Sequence, residues 1–274
     1  MKRKRSSTSM SSREIRAYQS TALGDLLQTG DYSDLVIICG GVRYKVHKAI
    51  VCPQSRFFKA ACDSGFMIQE AQTNEINLAD DDHLAVHSMI EFLYRRTYTA
   101  QGAERATRRL HSGTDTRSYT SPAALIQPWP RRVALDASIN PYPNLRLHIS
   151  VYVLAEKYGI SGLKALAVDK FESRSESDYT HQEFYGTNGA EHFIQVLREA
   201  YTSTIEADRP LRDAVVRIIK GKRELFEKEE MKAFLKETTL AYDLIMSGAM
   251  DAPVDVIQNG GYVGPNVIYP QGGY

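Results

Sequence analysis

Three cysteines and a histidine in the first quarter of the chain carry the side chains with the most reactive chemistry. Cys39, His47, Cys52 and Cys62 could bind zinc, or a thiol beside the imidazole could act as a nucleophile. Their spacing contains neither a CxxC nor an HxxxH pair, and no third group that would orient His47 is identifiable. Thiols in apolar segments commonly pack in a core. We therefore predict no metal site, no cofactor and no catalytic residues, and we expect a protein that is not an enzyme.

An acidic run offers a second candidate for chemistry. Asp80, Asp81 and Asp82 precede His83 and could supply oxygen ligands to a divalent cation. The same run comes just before an amphipathic segment, where carboxylates accept the free N–H groups of a helix start and oppose its dipole. Helix capping is the favoured interpretation. Gly40-Gly41 indicates a turn rather than a phosphate loop, because no GxxxxGK motif follows.

Composition limits the class of protein. The chain has 274 residues, a formal net charge of +1, 43% hydrophobic and 24% charged residues, which is typical of a soluble globular protein. A protein that mainly holds nucleic acid would need a clear basic excess. No apolar run is long enough to span a membrane, and the basic start lacks the apolar stretch of a signal peptide. The odd number of cysteines fits a reducing compartment, so we expect an intracellular protein of the nucleus or cytoplasm.

The near-zero charge conceals a basic start. Residues 1–20 carry six basic side chains and one acidic one among many serines, and we predict a disordered tail. Lys2, Arg3, Lys4 and Arg5 form either a nuclear-import-like cluster or a merely solubilising one, and the sequence leaves both interpretations open.

Two further stretches lack periodicity. Residues 100–144 hold six arginines and five prolines and are predicted to be an insertion loop. Their aromatic residues Tyr119 and Trp129 could stack on nucleic acid, but the basic excess is small and disorder is favoured. Residues 250–274, rich in Gly, Pro and Tyr, are predicted to be a flexible tail.

The remaining segments predict the elements that would position any site. A β-hairpin is indicated over residues 34–48 around Gly40-Gly41, and a third strand over 75–78. Ser55 is placed to cap a helix that carries Phe58. A second helix is predicted from apolar spacing i, i+3, i+4, i+7 at Val86, Met89, Ile90 and Leu93.

Helices dominate the rest of the chain. Residues 145–171 predict a helical pair in which Leu147, Val151, Leu154 and Tyr158 share a face. Residues 190–247 predict three more helices, the last of which carries Met231, Phe234, Leu235, Tyr242 and Ile245. Because strands come first and helices follow, the fold class is α+β with an all-α C-terminal extension.

In the segments just described, the sequence resembles a known family, the BTB/POZ domain. The resemblance rests on Ser33-Asp-Leu-Val-Ile37, Tyr44-Lys-Val-His-Lys48, Ser55-Arg-Phe-Phe58, Glu75-Ile-Asn-Leu78, Met89-Ile-Glu-Phe-Leu-Tyr94 and Ala155-Glu-Lys-Tyr158 followed by Leu163-Lys164. The positions taken as its fold signature are Phe58, Phe92, Tyr94, Tyr158 and Leu163. The whole chain is similar to the stand-alone BTB proteins common in filamentous fungi, since neither Kelch repeats nor Cys2His2 fingers follow. The resemblance implies a short mixed sheet flanked by a helical cluster.

The resemblance also fixes the expected domains. We expect a basic tail over 1–20, a BTB/POZ domain over 21–172 interrupted by the insertion at 100–144, a BTB-adjacent helical extension over 190–249, and a tail over 250–274. The family usually makes the connection across the insertion with a short strand and turn.

The function implied by the resemblance is protein–protein interaction, homotypic or with a partner. Asp34, His47 and Lys48 would be structural and homodimer-interface positions, although Asp34 and Lys48 could equally tie strands within one chain. A specific version is a substrate adaptor for a cullin-type ubiquitin ligase, docked through the helices around 83–94 and 145–171. The alternative is a nuclear transcription or chromatin regulator. No small-molecule substrate, membrane or nucleic acid is expected as a partner.

Overall fold

A small mixed sheet forms the first part of the fold. The computed structural model describes residues 11–63, 73–100, 142–180 and 188–250, with only the backbone for residues 12–20, 249 and 250. Strand β1 (Leu35–Cys39) pairs antiparallel with β2 (Val42–Val46) and parallel with β3 (Glu75–Asn77), in the order β2-β1-β3. The predicted hairpin is confirmed, and Gly40 and Gly41 both take left-handed backbone angles (φ 56° and 79°) that glycine adopts without a Cβ clash.

Helices make up most of the described chain. Their bounds are α1 Ser12–Thr29, α2 Lys48–Val51, α3 Arg56–Asp63, α4 His83–Arg95, α5 Pro143–Lys157, α6 Ser161–Thr180, α7 Gly189–Thr202, α8 Arg209–Lys220, α9 Glu229–Glu237 and α10 Leu240–Met250, with short 3-10 turns at Cys52–Gln54 and Arg223–Glu227. The α+β class with a helical C-terminal part is thus confirmed. Within the described ranges, no helix combines the length and the apolar character needed to cross a membrane.

Helix α4 lies at the centre of the first half. Its predicted apolar face is buried, with Val86, Met89 and Leu93 fully enclosed. The Asp82 carboxylate accepts hydrogen bonds from Leu84 N (2.8 Å) and Ala85 N (2.9 Å), which confirms the capping interpretation for that residue. One apolar core continues from the sheet through α4 and α5 into the C-terminal helices.

Helix α6 links the two helical blocks. It continues to Thr180, so the expected domain end at 172 falls inside a helix, and α8 packs against it. Asp208, just before α8, accepts hydrogen bonds from the Tyr152 hydroxyl and from Lys164 Nζ, both at 2.7 Å. The helical extension is therefore joined to the first half by packing and by a partly buried polar contact.

Two expectations need correction. The predicted tail over 1–20 is wrong for residues 12–20, which begin α1. Disorder was predicted there because residues 1–20 contain few apolar side chains. The same helix continues to Thr29, and its later residues Leu23, Leu26 and Leu27 pack against the core.

The predicted last helix is two helices. Thr238 takes an extended backbone (φ −134°, ψ 173°), and its hydroxyl bonds Phe234 O (2.7 Å) and Leu240 N (3.3 Å). A side chain that replaces helical hydrogen bonds in this way ends one helix and starts the next. Tyr242 and Ile245, expected on a buried stripe, are exposed as a result (64% and 71%).

The predicted insertion leaves and re-enters the fold at neighbouring points. Residues 101–141 lie outside the described residues, and the expected boundary at 144 is corrected, because Tyr142 is buried and α5 starts at Pro143. With its amide nitrogen facing Ala100 O, the Asn144 side chain forms a 3.1 Å hydrogen bond across the two ends. Tyr98 contacts His148 Nδ1 (2.8 Å), and Tyr142 donates to Gly189 O (2.9 Å).

Replacing residues 101–141 by a Gly/Ser linker of about eight residues is expected to leave the fold intact. The two ends are already held together, so the change in free energy of unfolding should stay within about 2 kcal/mol, the size of the loop-closure difference. Urea denaturation with circular dichroism measures this. A linker variant that fails to unfold cooperatively would show that the segment contributes core contacts.

Candidate functional site

His47 lies in a buried hydrogen-bond network at the start of α2. Its backbone N–H donates to the Tyr94 hydroxyl (2.8 Å), while Nδ1 lies 2.7 Å from the same hydroxyl and Nε2 lies 2.6 Å from Asp31 O. Because a carbonyl only accepts, Nε2 carries the proton and Nδ1 accepts from Tyr94. Burial raises the pKa of the Tyr94 hydroxyl, which keeps it a donor. His47 therefore ties α2 to α4 and is not free to act as a base.

Asp34 and Lys48 are in contact, but not as an ion pair. Asp34 Oδ1 accepts from the backbone N–H of Lys48 (2.7 Å), and Lys48 Nζ donates to Asn74 Oδ1 (2.5 Å). Among the described residues, no salt bridge joins the two side chains. Asp34 is exposed and satisfies the first free N–H of α2, so the local tie exists within one chain. The expected role of Asp34, His47 and Lys48 at a dimer interface stays a prediction.

Aromatic stacking joins α3 to the turn between α5 and α6. The rings of Phe58 and Tyr158 stack at 5.6 Å with 10° between their planes, and Phe57 meets Tyr158 edge to face at 4.8 Å. The Ser55 hydroxyl donates to Tyr158 O (2.7 Å) and accepts from Phe58 N (3.2 Å), so the predicted cap is confirmed. Contacts over such a sequence distance fix α3 rigidly beside the turn.

This arrangement leaves basic side chains exposed on α3 and on the turn that Phe57 packs against. Phe57 is partly exposed where its ring meets Tyr158, and Arg56, Lys59 and Lys157 are exposed on the same two segments. Lys157 Nζ is held by Asp81 Oδ1 (2.6 Å) and lies 5.2 Å above the Tyr158 ring. The turn itself depends on Gly159, whose backbone is left-handed (φ 67°) beside Arg56. We call these residues, Arg56, Phe57, Lys59 and Lys157, the α3–turn surface.

The predicted signature positions all lie in the core. Phe58, Tyr94, Tyr158 and Leu163 are at most 2% exposed, and Phe92 is 7% exposed. Phe92 packs close to Gly162, where an added Cβ would lie 3.3 Å from the ring. These residues hold α4, α3 and the α5–α6 pair together rather than forming a pocket.

The cysteines do not form the site first considered. Cys39 is buried beside Asp81 O (3.5 Å), and burial raises the pKa of its thiol to about 11. Burial, followed by a hydrogen bond with Cys62, raises the pKa of Cys52 to about 12. Such thiols are protonated near neutral pH and are poor nucleophiles. Across the described ranges, no three His, Cys, Asp or Glu side chains are grouped to hold a metal ion.

The acidic run is occupied by structural contacts. Asp82 caps α4, and the two carboxylate oxygens of Asp81 accept from Lys157 Nζ and from the Tyr158 hydroxyl. The oxygens of both carboxylates thus have hydrogen-bond donors within the protein and do not need a bound cation.

The sequence of the first part of the chain matches a known protein family. Residues 23–112 match the family model of the BTB/POZ domain. The chain contains a BTB/POZ domain. The match spans the three strands and α2–α4, and the mixed sheet beside a helical cluster agrees with it. The fungal resemblance stays a prediction.

As a BTB protein, the chain carries a protein-interaction domain. Sequence reasoning found the family but missed the α3–turn surface, because its basic residues come from two segments about a hundred residues apart. The matched range ends before the α5–α6 pair, whose contribution only the packing of Tyr158 on Phe58 reveals. The cluster Lys2–Arg5 lies outside the described residues.

Proposed function

We propose that this BTB protein is a substrate adaptor that docks on a cullin-type scaffold through the α3–turn surface. The observation that carries the proposal is that two segments joined by ring packing, α3 and the turn, together carry a partly exposed Phe57 and the exposed cations Arg56, Lys59 and Lys157. An aromatic anchor with flanking cations suits a partner surface that is apolar at its centre and acidic at its rim. Ordering costs on binding are small, because stacking and the Ser55 hydrogen bond already fix the surface.

The proposed docking surface includes α3, whereas the sequence led us to expect docking through the helices around 83–94 and 145–171. Helix α4 was expected to contribute directly, but most of it is buried, with α5, α1 and α2 packed against it, and residues such as Glu91 and Arg95 are only partly exposed. The turn between α5 and α6 has exposed residues that a partner could contact, such as Lys157. The helical extension packs behind it on α6, so an adaptor would present its other partner from a fixed direction.

Arg56→Glu and Phe57→Ala are each expected to reduce the cullin retained by the full chain by about tenfold or more. Loss of an interface anchor of this kind typically costs ~2 kcal/mol, and charge reversal adds repulsion to an acidic rim. Binding is measured by pull-down and biolayer interferometry with a purified scaffold. Lys236→Glu, on α9, is the matched charge control and should bind like the wild type.

No retention of the wild-type chain at micromolar scaffold concentration would contradict the adaptor proposal. Equal retention of wild type and both variants would place the docking surface elsewhere. Thermal unfolding of each variant separates a loss of binding from a loss of folding. Arg56→Glu changes an exposed residue and is expected to keep the stability of the wild type.

We also propose a symmetric homodimer in which the Asp34 charge lies at the contact. Asp34→Asn keeps an oxygen that can accept from Lys48 N but removes the charge, whereas Asp34→Ala removes both. Both variants are expected to shift the mass in light scattering towards the monomer. Only Asp34→Ala should also lower the free energy of unfolding, by about 1 kcal/mol, through the lost cap.

Comparing Asp34→Asn with Asp34→Ala separates a role at the dimer contact from a role within one chain. A monomeric wild type, or an Asp34→Asn variant as dimeric as the wild type, would count against the interface and leave Asp34 as a local tie.

A further inference from the structure

Helix α10 is apolar on nearly every side but packed on one side only. On its inner side, Leu240 is fully buried, Leu244 packs against the core, and Asp243 accepts from Arg209 Nη1 (3.0 Å). On its outer side, Tyr242, Ile245 and Met246 are 64%, 71% and 44% exposed. We call these three residues the α10 outer face. Positions i, i+3 and i+4 form one continuous stripe, where a surface helix normally carries polar side chains.

The size of this face decides what kind of occupant suits it. Three side chains expose on the order of a few hundred Å², whereas a stable dimer needs about 800 Å² from each partner. A second copy would therefore be held too weakly by this face alone. An occupant tethered to the same chain acts at millimolar effective concentration, so a small apolar face is enough to hold it.

The sequence that follows α10 has a matching composition. Residues 251–274 lie outside the described residues, and their sequence carries two acidic side chains, no basic ones and many apolar ones. Between positions 254 and 269 the apolar residues are Val254, Val256, Ile257, Tyr262, Val263, Val267, Ile268 and Tyr269. Charged residues would oppose burial on the face, and this segment has almost none.

The distance is short enough for the chain to return on itself. From Met250 back to Tyr242 the helix rises roughly 12 Å at 1.5 Å per residue. An extended chain covers this with about four residues at 3.3 Å each. Proline is unfavourable inside a helix, and in the sequence Pro253 comes three residues after Met250. Residues from Val256 onward can therefore reach the face.

We propose that the α10 outer face is the docking site of the chain's own segment 254–269. The face and the segment are complementary in apolar character and joined by a short connection. Covering Tyr242, Ile245 and Met246 removes from water the exposed apolar stripe of this helix.

Hydrogen exchange with mass spectrometry on the full chain tests this proposal. In a variant with Val256→Ser, Ile257→Ser, Ile268→Ser and Tyr269→Ser, amides of α10 should exchange on the order of tenfold faster than in the wild type, because the helix loses its cover. Exchange in α4 should not change. A variant with Gln258→Ser and Asn259→Ser is the matched control and should behave like the wild type.

A second variant tests the same contact from the other side. Tyr242→Ser with Ile245→Ser changes two exposed residues, so the fold should persist, and exchange in α10 should then no longer respond to the substitutions in the segment. Ile205→Ser removes an equally exposed side chain (75%) outside α10 and serves as its control.

Two outcomes would overturn the proposal. Protection of α10 that rises with protein concentration and survives the segment substitutions would assign the face to a second copy. Fast exchange of α10 in the wild type, unchanged by the substitutions at any concentration, would leave the face open for a separate partner.

Discussion

Replacing Phe58 by alanine is expected to lower the free energy of unfolding by about 3–5 kcal/mol, the range for a fully buried phenylalanine. Phe58 is 0% exposed and its ring contacts both the Phe57 ring (5.4 Å) and the Tyr158 ring (5.6 Å). Its removal leaves a cavity between α3 and the α5–α6 turn, and these are the elements that carry the α3–turn surface. Because domains are commonly stable by only 5–15 kcal/mol, this single change would consume much of the total.

Urea denaturation followed by circular dichroism measures the loss. Lys59→Ala, the next residue along α3, is exposed and is expected to change stability by less than about 0.5 kcal/mol. A loss below about 1 kcal/mol for Phe58→Ala would contradict the packing described for the aromatic cluster. Phe57→Ala should lie between the two, because that ring is only partly buried.

Acidification from pH 7 to pH 5 is expected to destabilise the protein by about 4 kcal/mol through the buried His148 and the half-buried His87. Burial lowers the pKa of His148 to about 3, with repulsion from Lys170 and Arg174 as further causes. Burial, with a contribution from His83, lowers the pKa of His87 to about 4. In the unfolded chain both titrate near their ordinary value of about 6.5.

The sign follows from proton uptake. Between pH 6.5 and the lowered values, the unfolded chain binds protons that the folded chain does not, so stability falls as the pH falls. Each histidine accounts for about 2 kcal/mol at pH 5, and the effect is absent above about pH 7. His148 Nδ1 also lies 2.8 Å from the Tyr98 hydroxyl, and in the tautomer with an unprotonated Nδ1 it accepts a hydrogen bond that a protonated ring could not accept.

Thermal and urea unfolding at several pH values check this expectation. His148→Gln retains an acceptor for Tyr98 but does not titrate, so it should remove about half of the dependence between pH 7 and pH 5. His148→Gln with His87→Gln should remove most of it. Equal stability of the wild type at pH 7 and pH 5 would show that these histidines are not held neutral by burial.

The first half of the fold could be predicted because local signals agreed with the tertiary structure. The Gly40-Gly41 turn, the Ser55 and Asp82 caps and the periodicity of α4 each depend on residues within a few positions of one another. The error at Thr238 arose because a side chain there replaces helical hydrogen bonds, a choice that apolar spacing does not reveal. The start of α1 was missed for a different reason, since its helix is held by packing against the core.

By itself, the sequence determined the BTB resemblance, the hairpin, the third strand and helices α3 and α4, and the buried positions that serve as its fold signature. It did so because apolar periodicity, turns and caps are properties of neighbouring residues. Only the tertiary structure decided that Asp34 bonds a backbone N–H instead of the Lys48 ammonium, and that Arg56, Phe57 and Lys157 share one surface. It also left the outer face of α10 exposed. Contacts between distant segments depend on how elements pack, and packing geometry is not encoded in the spacing of any one segment.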